Sequence, residues 1–368
     1  MARRLPIKAK SAAALSVPLA MLLVVAGLEV AQSAADAREV RAQTDLATAS
    51  IGPSGLISAL QNERNFSGLW LLGSEGAVDL PVDSIEEARA DTDRAATAFR
   101  AEVDRKGGDV ARIYAPALAS LDQLDDVRER IDAYDGPRAI AYNPTAEETF
   151  DGYSDLITAL SDQNSQLSLE VRDEVLRQGV RLIDLSSREI DRVARFVRKA
   201  VLTAVTGDGR MSDRREIVTM SAMQSEAERA HFAIIDLATG RYADLGEELR
   251  VESEATGVRR NAREIVRTGD IDVGAVLSGV SIDDDESYYG FVNDVSGVVL
   301  DRADELNAAA QARQRNYLLL AGLVLLVAAV VAPLVSRSIT RPLRSLTRQA
   351  KEMADRRLPD AVRGVFDA

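Results

Sequence analysis

"VRLIDLSSREIDRVARFVRKAVLTA", residues 180–204, sets the fold class. Val180, Ile183, Ser187, Ile190, Ala194, Val197, Val201 and Ala204 follow one another at alternating spacings of three and four residues. At helical period these positions form one stripe, the packed seam of a bundle. A half-buried strand needs alternation at period two, and no convincing run of that kind lies between residues 32 and 316. A second seam, Val292, Val295, Val299, Ala303, Leu306 and Ala310, also steps by three and four and leads without punctuation into an apolar run. Aromatic residues make up only 4% of the chain, and abundant Ala, Leu, Glu and Arg favour helix. The expected fold is all-α.

Glycine-rich and proline-rich punctuation divides the region between the seams. "IGPSG" (51–55), "GSEGAVDLPVDS" (73–84), "RKGGD" (105–109), "YDGPRAIAYNP" (134–144), "TGDGRMSD" (206–213) and "RTGDID" (267–272) read as turns or loops. Ser84 and Glu87 have the spacing of a capping box for the following helix. About eight to ten helices result, enough for two stacked four-helix bundles or one elongated bundle.

Two apolar segments flank this region. Leu318 to Val335 is eighteen residues without a polar side chain, preceded by Tyr317. A helix needs roughly 20 residues to cross the hydrocarbon core, so residues 317–335 read as a transmembrane helix. Ala12 to Leu28 is less uniform, interrupted by Ser16 and Pro18 and preceded by Arg3, Arg4, Lys8 and Lys10. It reads as a first transmembrane helix, residues 12–31, with a signal peptide cut near "AQSAADA" as the alternative. Residues 1–10 carry four basic and no acidic side chains, and residues 336–368 carry eight basic and four acidic. The chain totals −13, so residues 11–335 carry −21. Positive flanks are expected on the cytoplasmic side, which puts residues 1–11 and 336–368 inside and the acidic region 32–316 outside. So acidic a surface repels nucleic acid.

The chemistry available is narrow. There is no cysteine and one histidine, His231, which excludes thiolate sites and leaves zinc without its usual ligands. "SIDDDES" (281–287) lacks the glycine and spacing of a calcium loop and reads as a solvated loop. No metal or cofactor is expected. His231 reads as packed or half-exposed on the edge of the stripe Met220, Met223, Ala227, Ala230, Ile234, Leu237.

One residue breaks the apolar pattern. In "LISALQNERNFSGLWLL" (56–72), Arg64 shares a helical stripe with Leu60 and Leu71. A buried guanidinium needs a partner, either a carboxylate from another helix or a ligand anion. Its planar fork of donors suits an oxyanion. Arg181, Arg188, Arg192, Arg195 and Lys199 form a basic stripe beside the 180–204 seam. Asp184–Arg188 and Asp191–Arg195 are i,i+4 acid-to-base pairs, which fit an exposed, salt-bridged helix face.

Beyond the second apolar segment, Ile339, Leu343, Leu346, Ala350 and Met353 are spaced four, three, four, three. Pro342 there fits a helix start or a kink. With Arg-Pro-Leu at 341–343 this stretch resembles the first helix and connector of a HAMP domain, the bundle that relays motion from membrane helices. No kinase phosphoacceptor histidine or glycine-rich ATP site follows, so the chain is expected to be either the front end of a longer receptor or a short protein in its own right. A catalytic domain is not visible, and an enzymatic assignment stays open.

"LQNER" with "SGLWL", "DGYSDLITALSDQNSQL" (151–167) and "MQSEAERAHFAIIDLATG" (223–240) together resemble the nitrate- and nitrite-sensing (NIT) domain, an all-helical extracytoplasmic sensor. Met223 departs from the acidic residue expected there. The order of NIT, membrane helix and HAMP resembles the sensor half of actinobacterial-type histidine kinases. The resemblance implies a two-span membrane receptor, acting as a homodimer, that binds nitrate or nitrite and signals to a kinase or response-regulator partner. It implies a small-anion pocket lined by arginines, carried by Arg64 and Arg229, with Gln61, Arg192 and Arg195 as secondary candidates. In this expectation the empty arginines repel one another, and the anion draws their helices together. A receptor for another small molecule and a ligand-free membrane-anchored partner protein are the alternatives.

Overall fold

The computed structural model describes residues 7–72, 82–134, 144–206, 210–211, 213–255, 257–272 and 288–352. The helices are α1 (Ile7–Ala49), α2 (Ile51–Leu72), α3 (Val82–Lys106), α4 (Gly108–Leu121), α5 (Leu124–Asp132) and α6 (Pro144–Glu170). They continue with α7 (Glu174–Thr206), α8 (Arg214–Leu237), a 3₁₀ turn (Gly240–Tyr242), α9 (Ala243–Ala255), α10 (Gly257–Thr268) and α11 (Tyr288–Glu352). Among the described residues there is no strand, only an isolated bridge between Arg210 and Asp270. The chain is all-α.

Local chemistry explains where the helices stop. Gly107 and Gly108 both adopt positive φ, 60° and 51°, and turn α3 into α4. Gly269, at φ 77°, closes α10 with its N–H on the Ile265 carbonyl at 2.8 Å. Asp213 caps α8 by accepting from the Arg215 N–H at 2.9 Å. Asp173 caps α7 by accepting from the N–H groups of Val175 and Leu176 at 3.1 Å.

Two local expectations need correction. "IGPSG" does not form a linker: α1 and α2 are separated by Ser50 alone, and Gly52, Pro53 and Gly55 lie in the first turns of α2. Pro53 is tolerated there because first-turn N–H groups have no intrahelical acceptor to lose. Ser84 does not open α3, which begins two residues earlier at Val82, so a capping box at Ser84 and Glu87 does not form the helix start. The "SIDDDES" loop and most of "GSEGAVDLPVDS" lie outside the described residues.

The chain divides into two compact units. One, Arg41–Leu306, holds the core. Its largest apolar cluster joins the end of α1, α2 through α6 and the start of α7, centred on Leu56, Leu60, Phe99, Tyr114, Tyr153, Leu160 and Val180, and it takes in Val299 and Ala303 of α11. A second cluster packs the distal half of α7 (Phe196, Val197, Ala200, Val201) against Met220 of α8 and Ala262 and Ile265 of α10. A third packs Leu182 and Ile183 of α7 against Ile234, Tyr242, Leu249 and α11 residues Phe291, Val292 and Val295. α7 is common to all three clusters. Its seam is buried at every position but Ile190, which is half-buried, and other α7 positions are buried too, including Leu182, Ser186, Glu189, Phe196 and Thr203.

The other unit comprises Met1–Val40 and Asn307–Ala368. It contains the apolar parts of α1 and α11, with Met21, Leu22, Val24 and Leu28 exposed on one and Leu318, Leu319, Leu323, Leu326 and Leu334 on the other. Among the described residues, two helical stretches are long and apolar enough to cross a membrane, with mean hydropathy 1.4 and 1.8. Clusters of exposed leucine and valine are costly in water and favourable in lipid. α11 is unbroken over its 65 residues and passes through Pro333 and Pro342, so Pro342 does not start a new helix.

Candidate functional site

Arg64 is wholly buried in α2. Its Nη1 donates to the Asp191 carboxylate of α7 and, at 3.0 Å, to the Ser154 hydroxyl of α6. Its guanidinium carbon lies 4.3 Å from the centroid of the Phe150 ring, and that of Arg198 lies 4.0 Å from the same ring. The Asp191 carboxylate, the Ser154 hydroxyl and the Phe150 ring thus all help to hold the arginine that sits on an apolar stripe. The preceding residue, Glu63, is also fully buried, with other partners. Arg128 grips it with two bonds of 2.7 and 2.9 Å, and the Tyr153 hydroxyl donates to it at 2.8 Å. Burial, joined by the Glu63 charge, pushes the Tyr153 phenol well above its ordinary value and keeps it a hydrogen donor.

Asp191 connects this interior to a cleft. Its second oxygen accepts from Arg195 Nε at 2.8 Å. The cleft, about 260 Å³, is lined by Ile157, Thr158 and Ser161 of α6, Arg188, Asp191, Arg192 and Arg195 of α7, and Met223 and Glu226 of α8. Three arginines one turn apart on α7 thus share a groove with two hydroxyl side chains. Each of them already holds a carboxylate: Arg188 pairs with Asp162 at 2.9 Å and Asp184 at 3.1 Å, Arg192 with Glu226 at 3.0 Å, and Arg195 with Asp191. Burial raises the Asp184 carboxyl above its usual range, more than Ser165 and Arg188 lower it. The arginines of the groove are thus each compensated by a carboxylate.

The i,i+4 pairs read from the sequence do form. Part of the stripe is more than a solvated face: Arg188, Arg192 and Arg195 line a cleft shared with α6 and α8, while Arg181 is exposed. Of the five candidate residues, the structure brings Arg192 and Arg195 into the cleft, and Arg64 meets it through Asp191. Gln61 is buried and donates to the Ser187 carbonyl at 3.3 Å, tying α2 to α7. Arg229 is exposed on α8, its Nε donating to the Ser225 carbonyl at 3.2 Å, and it does not line the cleft. Sequence reasoning missed Asp191 as the partner of Arg64, and missed Phe150 and Ser154. The available signal was weak: Asp191 lies beside the α7 seam, where a carboxylate needs a cation. His231 is buried and its Nδ1 lies 3.5 Å from Glu189, a carboxylate that Arg259 also binds. Among the described residues no group of acidic and histidine side chains could hold a metal ion.

Fold and site together define the class: an all-helical bundle that carries guanidinium groups in its interior and along one groove, each set against carboxylates. The chain belongs to the nitrate and nitrite sensing (NIT) family, whose sequence profile matches residues 55–313. That range runs from Gly55 in α2 to Arg313 in α11 and includes every side chain that lines the groove. Among solved structures, the chain is similar to the NasR transcription antiterminator at 17% identity and TM-score 0.53, over 88% of this chain and 89% of that one. At that identity the likeness is one of fold. No curated protein matches the sequence.

Proposed function

We propose that the chain is a membrane receptor for a small planar oxyanion, nitrate or nitrite, held in the α6–α7–α8 cleft. The observation that carries the reading is the convergence of Arg188, Arg192 and Arg195 with the Thr158 and Ser161 hydroxyls in one groove, backed by buried Arg64, within a member of the NIT family. Guanidinium forks match a trigonal oxyanion in shape and charge, and hydroxyls supply adaptable donors. Arg192 and Arg195 are the direct contacts in this reading. Arg64 reaches the cleft at Asp191. Arg229 lies three residues beyond Glu226 on α8 and attracts the anion to the cleft mouth rather than enclosing it.

The signalling part of the proposal follows from the helices. Residues 12–31 and 317–335 span the membrane, residues 32–316 lie outside, and both termini are cytoplasmic. The charge distribution supports this orientation, since the −21 carried by residues 11–335 is flanked by two basic ends. α11 carries the signal inward, being a single helix from Tyr288 to Glu352. The HAMP-like register at 339–353 receives it in a homodimer and passes it to a kinase or response-regulator partner. Anion binding biases this equilibrium only to the extent that it prefers one arrangement of α6, α7 and α8.

The test is a thermal-shift panel on the full-length chain in lipid nanodiscs. Nitrate and nitrite are expected to raise the Tm in a saturable manner, while chloride and sulfate at equal ionic strength are not. Equal shifts with all four salts would reduce the effect to ionic strength and defeat the reading; a shift with a different small molecule alone would favour a receptor of another specificity.

A further inference from the structure

Asp191 holds the position that a bound oxyanion would need. Its two oxygens face two guanidiniums from two helices, Arg64 of α2 and Arg195 of α7, the latter at 2.8 Å. A carboxylate is a planar O–C–O group of charge −1, and nitrate and nitrite present the same O–N–O edge with the same charge. We propose that Asp191 is a resident competitor: the oxyanion binds by displacing its carboxylate from Arg64 and Arg195. This rests on the cleft being the oxyanion site.

Three observations set Asp191 apart from the other carboxylates that pair with the groove arginines; Asp184, 8% exposed on Arg188, does not line the cleft. Glu226 and Asp162 have side chains 59% and 56% exposed, so their pairs with Arg192 and Arg188 are rim contacts that water screens. The Asp191 side chain is 13% exposed, which leaves its pair strong yet reachable from the cleft that it lines. The Arg64 side chain has no exposure at all and packs on Phe150, with Ser154 bonded at 3.0 Å, so the cation cannot come out to meet a ligand. Exchange therefore has to move the carboxylate. Rotation of the Asp191 side chain toward the open cleft rehydrates it, and the incoming anion restores the interior charge balance. Because Asp191 joins α7 to α2, its release also frees the two helices from one direct link, so ligand exchange and helix motion become one event. The resident carboxylate sets a threshold: a weakly coordinating anion such as chloride offers one centre where the site presents two forks, and does not displace it.

The prediction is opposite to that for an ordinary binding residue. Asp191→Asn keeps the shape and removes the charge, so the full-length receptor in nanodiscs is expected to bind nitrate at least tenfold more tightly than wild type, and to bind formate, a carboxylate probe, which wild type does not. Wild type binding nitrate with Asp191→Asn equal or weaker would overturn the proposal and leave the cleft reading intact. Absence of nitrate binding by both proteins would instead remove the cleft reading, and this proposal with it. Should Asp191→Asn fold poorly because buried Arg64 has lost its anion, nitrate or formate added during reconstitution is expected to recover folded receptor; failure of both to do so, with wild type binding nitrate, would likewise overturn the displacement.

Discussion

At the scale of single residues, the account turns on two neighbours in α2 that point to different partners. Glu63 is satisfied by Arg128 and Tyr153, and Arg64 by Asp191, Ser154 and Phe150. Removing one member of a buried pair strands the other, at a cost of about 3–5 kcal/mol, whereas an exposed pair contributes about 0–1 kcal/mol. Glu63→Ala is therefore expected to lower unfolding free energy by about 3 kcal/mol or more. Arg94→Ala, whose side chain is 73% exposed beside Asp91, should cost less than about 1 kcal/mol. Denaturant titrations of the two variants check this contrast; comparable losses would show that the Glu63 network is not the anchor described here. The sequence made Arg64 visible because a cation interrupted an apolar stripe. It could not supply the partner, since Asp191 is 127 positions away and sits within an acid–base pattern that local pairing already explained.

Helices bring a different kind of constraint, close approach. Gly179 of α7 lies where an added Cβ would meet the Val299 side chain of α11 and the Tyr242 hydroxyl. Tyr242 is itself fixed by donating to the Val175 carbonyl at 2.9 Å. Gly179→Ala is expected to push α11 off α7 and cost about 1–3 kcal/mol, read as a drop in Tm. An unchanged Tm would mean that the α7–α11 contact is looser than its geometry requires. The same junction is held by charge. Arg302 of α11 donates to Asp173 at 2.8 Å and bonds Glu305 at 3.0 Å, and Glu305 takes two bonds of 2.9 Å from Arg241. Burial raises the Asp173 carboxyl, but Arg302 and the capping N–H groups of Leu176 and Val175 together outweigh it and hold it below the ordinary carboxylate range. A group with a lowered folded pKa contributes stability that is present above its unfolded pKa and lost as pH falls through the folded one. Acid should therefore loosen α11 from α7 below about pH 4, and Asp173→Asn should flatten that part of the stability profile. Asp184, raised by burial, works in the opposite sense and regains stability as it protonates. A pH–stability curve identical in Asp173→Asn and wild type would contradict this assignment. The seams themselves were legible, because burial follows the three–four spacing through Val180, Ile183, Val197 and Val201 on α7 and Val292, Val295, Val299 and Ala303 on α11. Helix starts were less so: Pro53 and Gly55 look like a linker and are accommodated in a first turn, where the missing hydrogen bonds cost little.

For the whole molecule, the sequence conveyed the class and the family, because periodicity, apolar run length and charge asymmetry are local or additive properties. It did not convey that α6 and α8 share a cleft with Arg188, Arg192 and Arg195 of α7, since nothing in the spacing of these arginines tells a solvated face from the floor of a cleft. An anion bound there would reach α11 through α7, the element shared by all three apolar clusters. The central claim is that these α7 arginines hold the oxyanion. Isothermal titration of nitrate into the full-length receptor in nanodiscs, for wild type and for Arg192→Ala/Arg195→Ala, tests it most directly. The account predicts saturable binding by wild type and at least a tenfold loss of affinity in the double variant; equal affinity in two folded proteins would contradict it.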